Sequence, residues 1–359
     1  MNAIGHPNDP FQRAAAWLDE GLDVAVATVV ATWGSSPRRP GSVMCMNQHG
    51  DFVGSVSGGC VETAVVEEAR GVLASGQPKL LEFGVTNDDA WEVGLACGGT
   101  VQVWVERVSG PAELALSVPS TTRGPTRVVG TDLDSGEKQA VDLGRDDIGN
   151  VTVTPANPEG TNPEGTGDPW RHGIVHEGAC DAVLRDRSHV VEVAGRRIFL
   201  HVLGSPVRVV IVGAVHIAQN LVAMVRAAGF DPVVVDPRTA FATPKRFPDV
   251  ELLHAWPAEA FEQLELDDRT AVVALTHDPK LDDPALTAAL ASDAFYVGAL
   301  GSRRTHARRL ERLTEEGVAA GSLGRIHAPI GLDIGAKTPG EIAAAVLAEI
   351  VHELRTGRE

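Results

Sequence analysis

From Arg208 onward the chain alternates between two patterns, and this alternation limits the fold more than any other feature. Arg208 to Val212 is an apolar strand, and Gly213-Ala214-Val215-His216 follows as a turn. Ile217 to Ala228 has helical spacing and stops at Gly229; Pro232 to Val235 is a second apolar run, closed by Asp236. Continuous apolar runs suit strands covered on both faces, which is the situation in parallel sheets with crossover helices. The alternation continues through strands at 251–254, 270–275 and 295–299 and helices at 257–264, 284–291 and 306–313. Thr338-Pro339-Gly340-Glu341 opens a last helix, reaching about Leu354, with Thr as the cap, Pro at the first position and Glu completing a capping box. The expected fold class is α/β, with a C-terminal Rossmann-like parallel sheet.

The first turn of this sheet has the layout of a dinucleotide site, with Asp236 placed 23 positions after Gly213. Its glycine fingerprint is altered. Val215 stands at the middle glycine, where a side chain meets a pyrophosphate, and Ala218 takes the third position, where alanine packs acceptably. Ligands of open parallel sheets lie beyond the carboxyl ends of the strands. Three polar clusters fall there: Asp236-Pro237-Arg238, Thr276-His277-Asp278 and Gly301-Ser302-Arg303-Arg304. Arg303, Arg304, Arg308, Arg309 and Arg312 form the densest positive patch of the chain. A helix face paired to acidic neighbours accounts for Arg309 and Arg312; for Arg303 and Arg304, read as a loop pair, a phosphate ligand is the better account.

The N-terminal part reads as a separate α+β domain. A helix over 11–20 precedes a strand over 22–33 that is buried on both faces. Gly34 to Gly41 is a loop whose Ser35 and Arg38 suit either an anion cradle or a solvated turn. Strands over 42–46 and 51–55 form a hairpin, and Gly54-Ser55-Val56-Ser57-Gly58-Gly59-Cys60-Val61-Glu62 leads into a helix over 61–73. Gly58 and Gly59 let a ligand approach the main chain, and a helix start offers unpaired N–H groups to a thiolate at Cys60. The competing reading makes Cys60 a small buried hydrophobe. Strands follow over 79–83 and 100–107, the second entered through Cys97-Gly98-Gly99, a bulge or a close backbone contact. Between Ser109 and His201 only short β runs stand out, at 126–129, 151–153, 190–193 and 197–200. The tandem Asn-Pro-Glu-Gly-Thr units at 157–166 read as a loop tip. His172 and His176 are spaced for one helix face, but Gly173 and Gly178 argue against a helix there and against a metal pair.

The formal charge of −17 argues against nonspecific nucleic-acid binding and docking on anionic lipid. No apolar run approaches the ~20 residues of a membrane span, and Met1 to Arg13 has no signal-peptide pattern. The four cysteines form no CxxC pair, so reduced thiols in the cytoplasm are the expectation.

Taken jointly, these pieces resemble the XdhC/CoxI family of xanthine dehydrogenase accessory proteins. The matching segments are Gly34 to Arg38, Gly54 to Glu62, Cys97 to Gly99, Gly213 with His216, Val235 to Arg238, Ala274 to Asp278, Tyr296 to Thr305 and Pro329 to Thr338. The resemblance implies an N-terminal domain over 1–204, with a variable β-rich part over 109–204, and a Rossmann-like domain over 205–359. It implies a cytoplasmic chaperone rather than a turnover enzyme, one that binds molybdenum cofactor (molybdopterin) and helps mature and load a molybdenum hydroxylase. A nucleotide is a second candidate ligand, a cysteine desulfurase a second candidate partner, and a homodimer the expected assembly. The cofactor-binding residues it implies are Ser35, Arg38, Gly58, Gly59, Cys60, Gly213, His216, Asp236, Arg238, His277, Asp278, Ser302, Arg303 and Arg304, with Cys60 as the metal ligand. The alternatives are an NAD(P)-dependent oxidoreductase, which fits the βαβ unit and Asp236, and a non-catalytic nucleotide-binding regulator.

Overall fold

The computed structural model describes residues 9–34, 38–84, 99–118, 126–145, 151–155, 175–184, 187–193 and 195–356. The chain divides into two compact units, Met1–Ser205 and Pro206–Glu359.

The first unit opens with α1 (Pro10–Asp19), capped by the Asp9 carboxylate, which accepts from Phe11 N–H at 2.9 Å. β1 (Val24–Trp33), β2 (Val43–Asn47), β3 (Phe52–Gly54), α2 (Glu62–Ser75), β4 (Lys79–Phe83) and β5 (Thr100–Val108) follow. The strands form an antiparallel sheet in the order β3-β2-β1-β5-β4. β1 is central, and its alternate residues serve two cores. Ala25, Ala27 and Val29 pack under Val65, Ala69 and Val72 of α2, while Val24 and Val26 pack with Ala14 and Trp17 of α1. That double cover is why β1 carries no polar alternation. Cys45 of β2 lies in the α1 core, and burial pushes its thiol up to about 12.

The remainder of this unit is α3 (Pro111–Ser117), β6 (Thr126–Asp132), β7 (Lys138–Arg145), β8 (Val151–Pro155), α4 (Val175–Leu184), β9 (His189–Val193) and β10 (Arg196–Leu203). Its strands make a second antiparallel sheet, ordered β8-β7-β6-β10-β9, with Ala179 and Ala182 of α4 packed on Val128, Ile198 and Leu200. The expectation that glycine excludes a helix around His176 is corrected. α4 runs through Gly178, where an added Cβ would come within 3.0 Å of Leu200. The glycine is there for close helix–sheet approach, not to stop the helix. His172 and the tandem units at 157–166 lie outside the described residues.

The second unit is built from β11 (Arg208–Val212), α5 (His216–Ala227), β12 (Asp231–Val235), β13 (Glu251–Leu253), α6 (Pro257–Leu264), β14 (Thr270–Ala274), α7 (Pro279–Leu290), β15 (Tyr296–Ala299), α8 (Arg303–Glu315), α9 (Ala320–Leu323), β16 (Ile326–His327) and α10 (Pro339–Thr356). All its strand pairs are parallel, in the order β13-β12-β11-β14-β15-β16. This is the doubly wound order, reversing between β11 and β14. Val209 and Ile211 face α5 and α10, through Leu221, Val225, Val346 and Ile350. Val210 and Val212 face α6 and α7, through Phe261, Leu286 and Ala289. At α10 the expected capping box is present: the Glu341 carboxylate accepts from Thr338 N–H at 2.9 Å, and Glu341 N–H donates to Thr338 Oγ1 at 3.3 Å.

Candidate functional site

In the first unit, the loop before α2 winds around a carboxylate from its own helix. Glu62 Oε1 accepts from Ser55 Oγ at 2.7 Å and from the N–H groups of Val56, Ser57 and Gly58 at 3.0 to 3.2 Å. Its Oε2 accepts from Ser57 Oγ at 2.6 Å and Gly59 N–H at 2.9 Å. Ser57 Oγ in turn accepts from Cys60 and Val61 N–H, both at 3.0 Å. Burial alone raises the Glu62 pKa, but the Ser57 and Ser55 hydroxyls and the Ser57 N–H outweigh it and hold the group down to about 2. The expectation of unpaired N–H groups at this helix start holds for α2 itself, which has no side-chain cap, but not for the loop that leads into it. Every N–H from Val56 to Val61 has an internal acceptor, and the anion in the glycine cradle is Glu62.

The loop nevertheless presents Cys60. Gly58 and Gly59 have φ of 87° and 121°, conformations that L side chains rarely adopt, and Cys60 is exposed one residue before the Val61 cap position. The thiol is a soft donor on a tightly bonded loop. Among the described residues, no three of His, Cys, Asp and Glu converge on a metal-sized site. Arg38 is exposed, and Ser35, Cys97 and Gly98 lie outside the described residues.

In the second unit, the turn after β11 is closed from two sides. Gly213 has φ of 103°, and an added Cβ would meet Thr276 Cγ2 at 2.3 Å. Asp236 is fully buried; it accepts from Ala214 N–H at 2.8 Å, from Arg238 N–H and Nε, both at 2.9 Å, and from Arg238 Nη2 at 2.7 Å. Burial opposes its ionisation, yet the Arg238 side chain and these N–H donors keep its pKa lowered. Asp236 thus staples two loops together and has no outward-facing oxygen left for a ribose. Val215 turns its side chain onto the α5 core, and His216 is exposed at the first position of α5. Arg238 also stacks on Phe241, 4.5 Å from the ring centroid.

One strand further, at the carboxyl ends of β14 and β15, lies a cleft of about 490 Å³ lined by His277, Ser302, Arg304, Thr305, Arg308 and Arg309, with Pro279, Asp282 and Arg312. Arg303 and Arg304 are not a loop pair, as expected from the sequence. They form the first turn of α8, because Ser302 caps it by accepting from Thr305 N–H at 3.1 Å. That places Arg304 and Arg308 one turn apart on the cleft wall and leaves Arg303 off it. Asp278 likewise serves as the cap of α7, accepting from Lys280 N–H at 3.0 Å.

Beneath the wall, Asp282 joins Thr276 to Arg309: it accepts from the Thr276 hydroxyl and, at 3.4 Å, from Arg309 Nη2. Burial is the first cause acting on Asp282 and raises its pKa despite these partners. Asp283 and Arg312 make a two-point ion pair, which fulfils the reading of a helix face paired to acidic neighbours. Arg309 is only 2% exposed; Nη2 is engaged by Asp282 and by Leu300 O at 2.9 Å, while Nε and Nη1 have no hydrogen-bond partner. Sequence reading placed Arg308 and Arg309 in the basic patch without assigning them to the site. The i, i+4 spacing of Arg304 with Arg308 and of Thr305 with Arg309 carried that signal.

The first unit thus presents an exposed thiol, and the second a cleft lined by guanidinium groups. Comparison with known proteins matches a separate profile within each unit. The profile described as the XdhC and CoxI family matches residues 17–84, and that described as the XdhC Rossmann domain matches 209–350. The chain is 28% identical over 335 residues to the molybdenum cofactor insertion chaperone PaoD of Escherichia coli, covering 93% of this chain and 84% of that one. It is 25% identical over 347 residues to a Bacillus subtilis protein named as a probable xanthine dehydrogenase component, covering 94% and 95%. A crystal structure described as a xanthine dehydrogenase from Bacillus halodurans shares the fold, with a TM-score of 0.73, 22% identity and coverage of 97% and 96%. Two matched profiles on two compact units, with relatives aligned across nearly the whole length, lead to one conclusion: the chain belongs to the XdhC and CoxI family.

Proposed function

We propose that this protein is an accessory factor for a molybdenum hydroxylase and that it holds molybdenum cofactor before handing it to the apoenzyme. The observation that carries this reading is the exposed Cys60 thiol on a loop whose backbone donors are all internally satisfied. The N–H groups from Val56 to Val61 are engaged internally, while the Cys60 side chain is left exposed. The cofactor, when bound, supplies a metal with sulfur ligands that a thiolate can engage. The chain's part is to present Cys60 on a loop ordered through Ser57, which accepts from the Cys60 N–H. The Escherichia coli relative named as a cofactor insertion chaperone supports the same role, as does membership in the family. The nicotinamide alternative is weakened by Asp236, whose oxygens are consumed by Ala214 and Arg238.

The test is co-purification under cofactor-replete expression. Wild-type protein is expected to carry pterin and molybdenum, and Cys60→Ala to lose most of both while keeping its unfolding midpoint. Wild-type protein free of both would overturn the reading. So would reduced nicotinamide binding tightly and supporting substrate-dependent turnover.

A further inference from the structure

The cleft at the amino end of α8 holds more positive charge than the protein answers. Arg312 is matched by Asp283, and Arg309 by Asp282. Arg304 and Arg308 are exposed and have no protein hydrogen bond or ion pair through their side chains among the described residues. The wall therefore carries two unmatched positive charges, beside the capped amino end of a thirteen-residue helix. A second observation is independent of that helix end. Arg309 lines the same cleft and is almost wholly buried, yet its Nε and Nη1 donate to nothing. His306 Nδ1, one turn from Ser302, is also buried without a partner. Buried donors of a charged group are normally satisfied, so these unmet nitrogens call for an acceptor such as a ligand oxygen or a water. Guanidinium forks match the oxygens of a phosphoryl group two at a time. The volume, about 490 Å³, admits a group larger than a simple ion.

We infer that this cleft binds a dianionic phosphoryl group, either a terminal phosphomonoester or the diphosphate bridge of a nucleotide-linked molecule, through Arg304, Arg308 and Arg309. The site lies one strand away from the turn that holds diphosphates in the usual doubly wound sheet. At that turn Val215 replaces a glycine and Asp236 faces inward. Identifying the phosphoryl group as the end of a molybdenum cofactor rests on the proposed function; the dianion site does not.

The experiment is a calorimetric titration of the full chain at pH 8 and fixed ionic strength with pyrophosphate, inorganic phosphate and succinate, with nitrogen-15 resonances of the arginine Nε groups recorded in parallel. Saturable binding of pyrophosphate or phosphate is expected, with the Arg309 Nε resonance shifting. The double variant Arg304→Gln/Arg308→Gln should weaken binding at least tenfold, and Arg303→Gln should stay within twofold of wild type. Phosphate binding as tightly as pyrophosphate supports the monoester form of the inference; a tenfold preference for pyrophosphate supports the bridge. Binding that survives the double variant within twofold, or succinate binding equal to pyrophosphate, overturns the inference. Because the substituted arginines are exposed and unpaired, the variants should keep the wild-type unfolding midpoint, so lost binding is not lost folding. Pyrophosphate binding in protein that carries no pterin would break the proposed function and leave this site standing. Retained pterin with no phosphoryl binding would do the reverse.

Discussion

The loop at Ser55–Glu62 and the amino end of α8 are both built to attract negative charge, and they differ in who supplies it. Around Glu62, two hydroxyls and four backbone N–H groups converge on a carboxylate from the same segment. At α8, Arg304 and Arg308 line a cleft whose one carboxylate, Asp282, is already engaged by Thr276 and Arg309. A glycine-rich turn before a helix is the more familiar anion motif, yet here it is closed by its own side chain, and the arginine helix is the open one. The inventory of donors does not decide whether a segment binds an external anion; the inventory of acceptors within reach does.

The comparison breaks most visibly if Glu62 is removed. Glu62→Ala leaves the loop's donors without their acceptor and should cost ~3 kcal/mol of first-unit stability in urea unfolding, since buried hydrogen bonds to a charged group are worth about 1.5–3 kcal/mol each and several solvate on loss. A loss below ~1 kcal/mol would show the loop ordered by something other than its carboxylate. Gly213→Ala comes next. A left-handed backbone and the clash with Thr276 Cγ2 together should cost ~2 kcal/mol. Thr276→Ser in the same protein keeps the hydroxyl for Asp282 and should recover part of that loss; no recovery would place the strain elsewhere.

The third difference is in pH. Glu62 has its pKa lowered, so its contribution is complete above the unfolded value near 4.5 and fades as pH falls toward about 2. Over that window, wild-type first-unit stability should fall more steeply than that of Glu62→Gln, in acid titrations followed by fluorescence; parallel curves would refute the assignment. The smallest effect belongs to α8. Arg304→Gln or Arg308→Gln should change ligand-free stability by less than ~0.5 kcal/mol, because no side-chain hydrogen bond or ion pair is lost. A larger loss would mean that these side chains are structural.

Much of this was legible in the sequence. The parallel strands were, because burial on both faces leaves an unbroken apolar run such as Val209–Val212 or Ala271–Ala274. The start of α10 was, because its capping box is local. The start of α8 was not: only Ser302 marks it, and the residues behind it are charged, so no apolar period shows where the helix begins. α4 was hidden by Gly178, whose reason lies in Leu200, far along the chain. At the site, the glycines, Cys60 and the arginine patch were readable as residue types. Their partners were not, since the Glu62 acceptor geometry and the two idle nitrogens of Arg309 exist only after the chain has turned back on itself.

The last helix has a consequence for how the protein is made. Ala343, Val346 and Ile350 of α10 cover the same side of the second sheet as α5, and the Glu349 carboxylate accepts from Tyr296 on β15 and from Gly331 N–H at 2.8 Å. During synthesis β11, β12, β14 and β15 all leave the ribosome before α10 exists. One side of a parallel sheet therefore waits half-clothed, with valine and isoleucine facing water, through most of the translation of its own unit. Such nascent intermediates are sticky, so the yield of this protein in a cell should depend on how quickly, and in what company, its final helix is delivered.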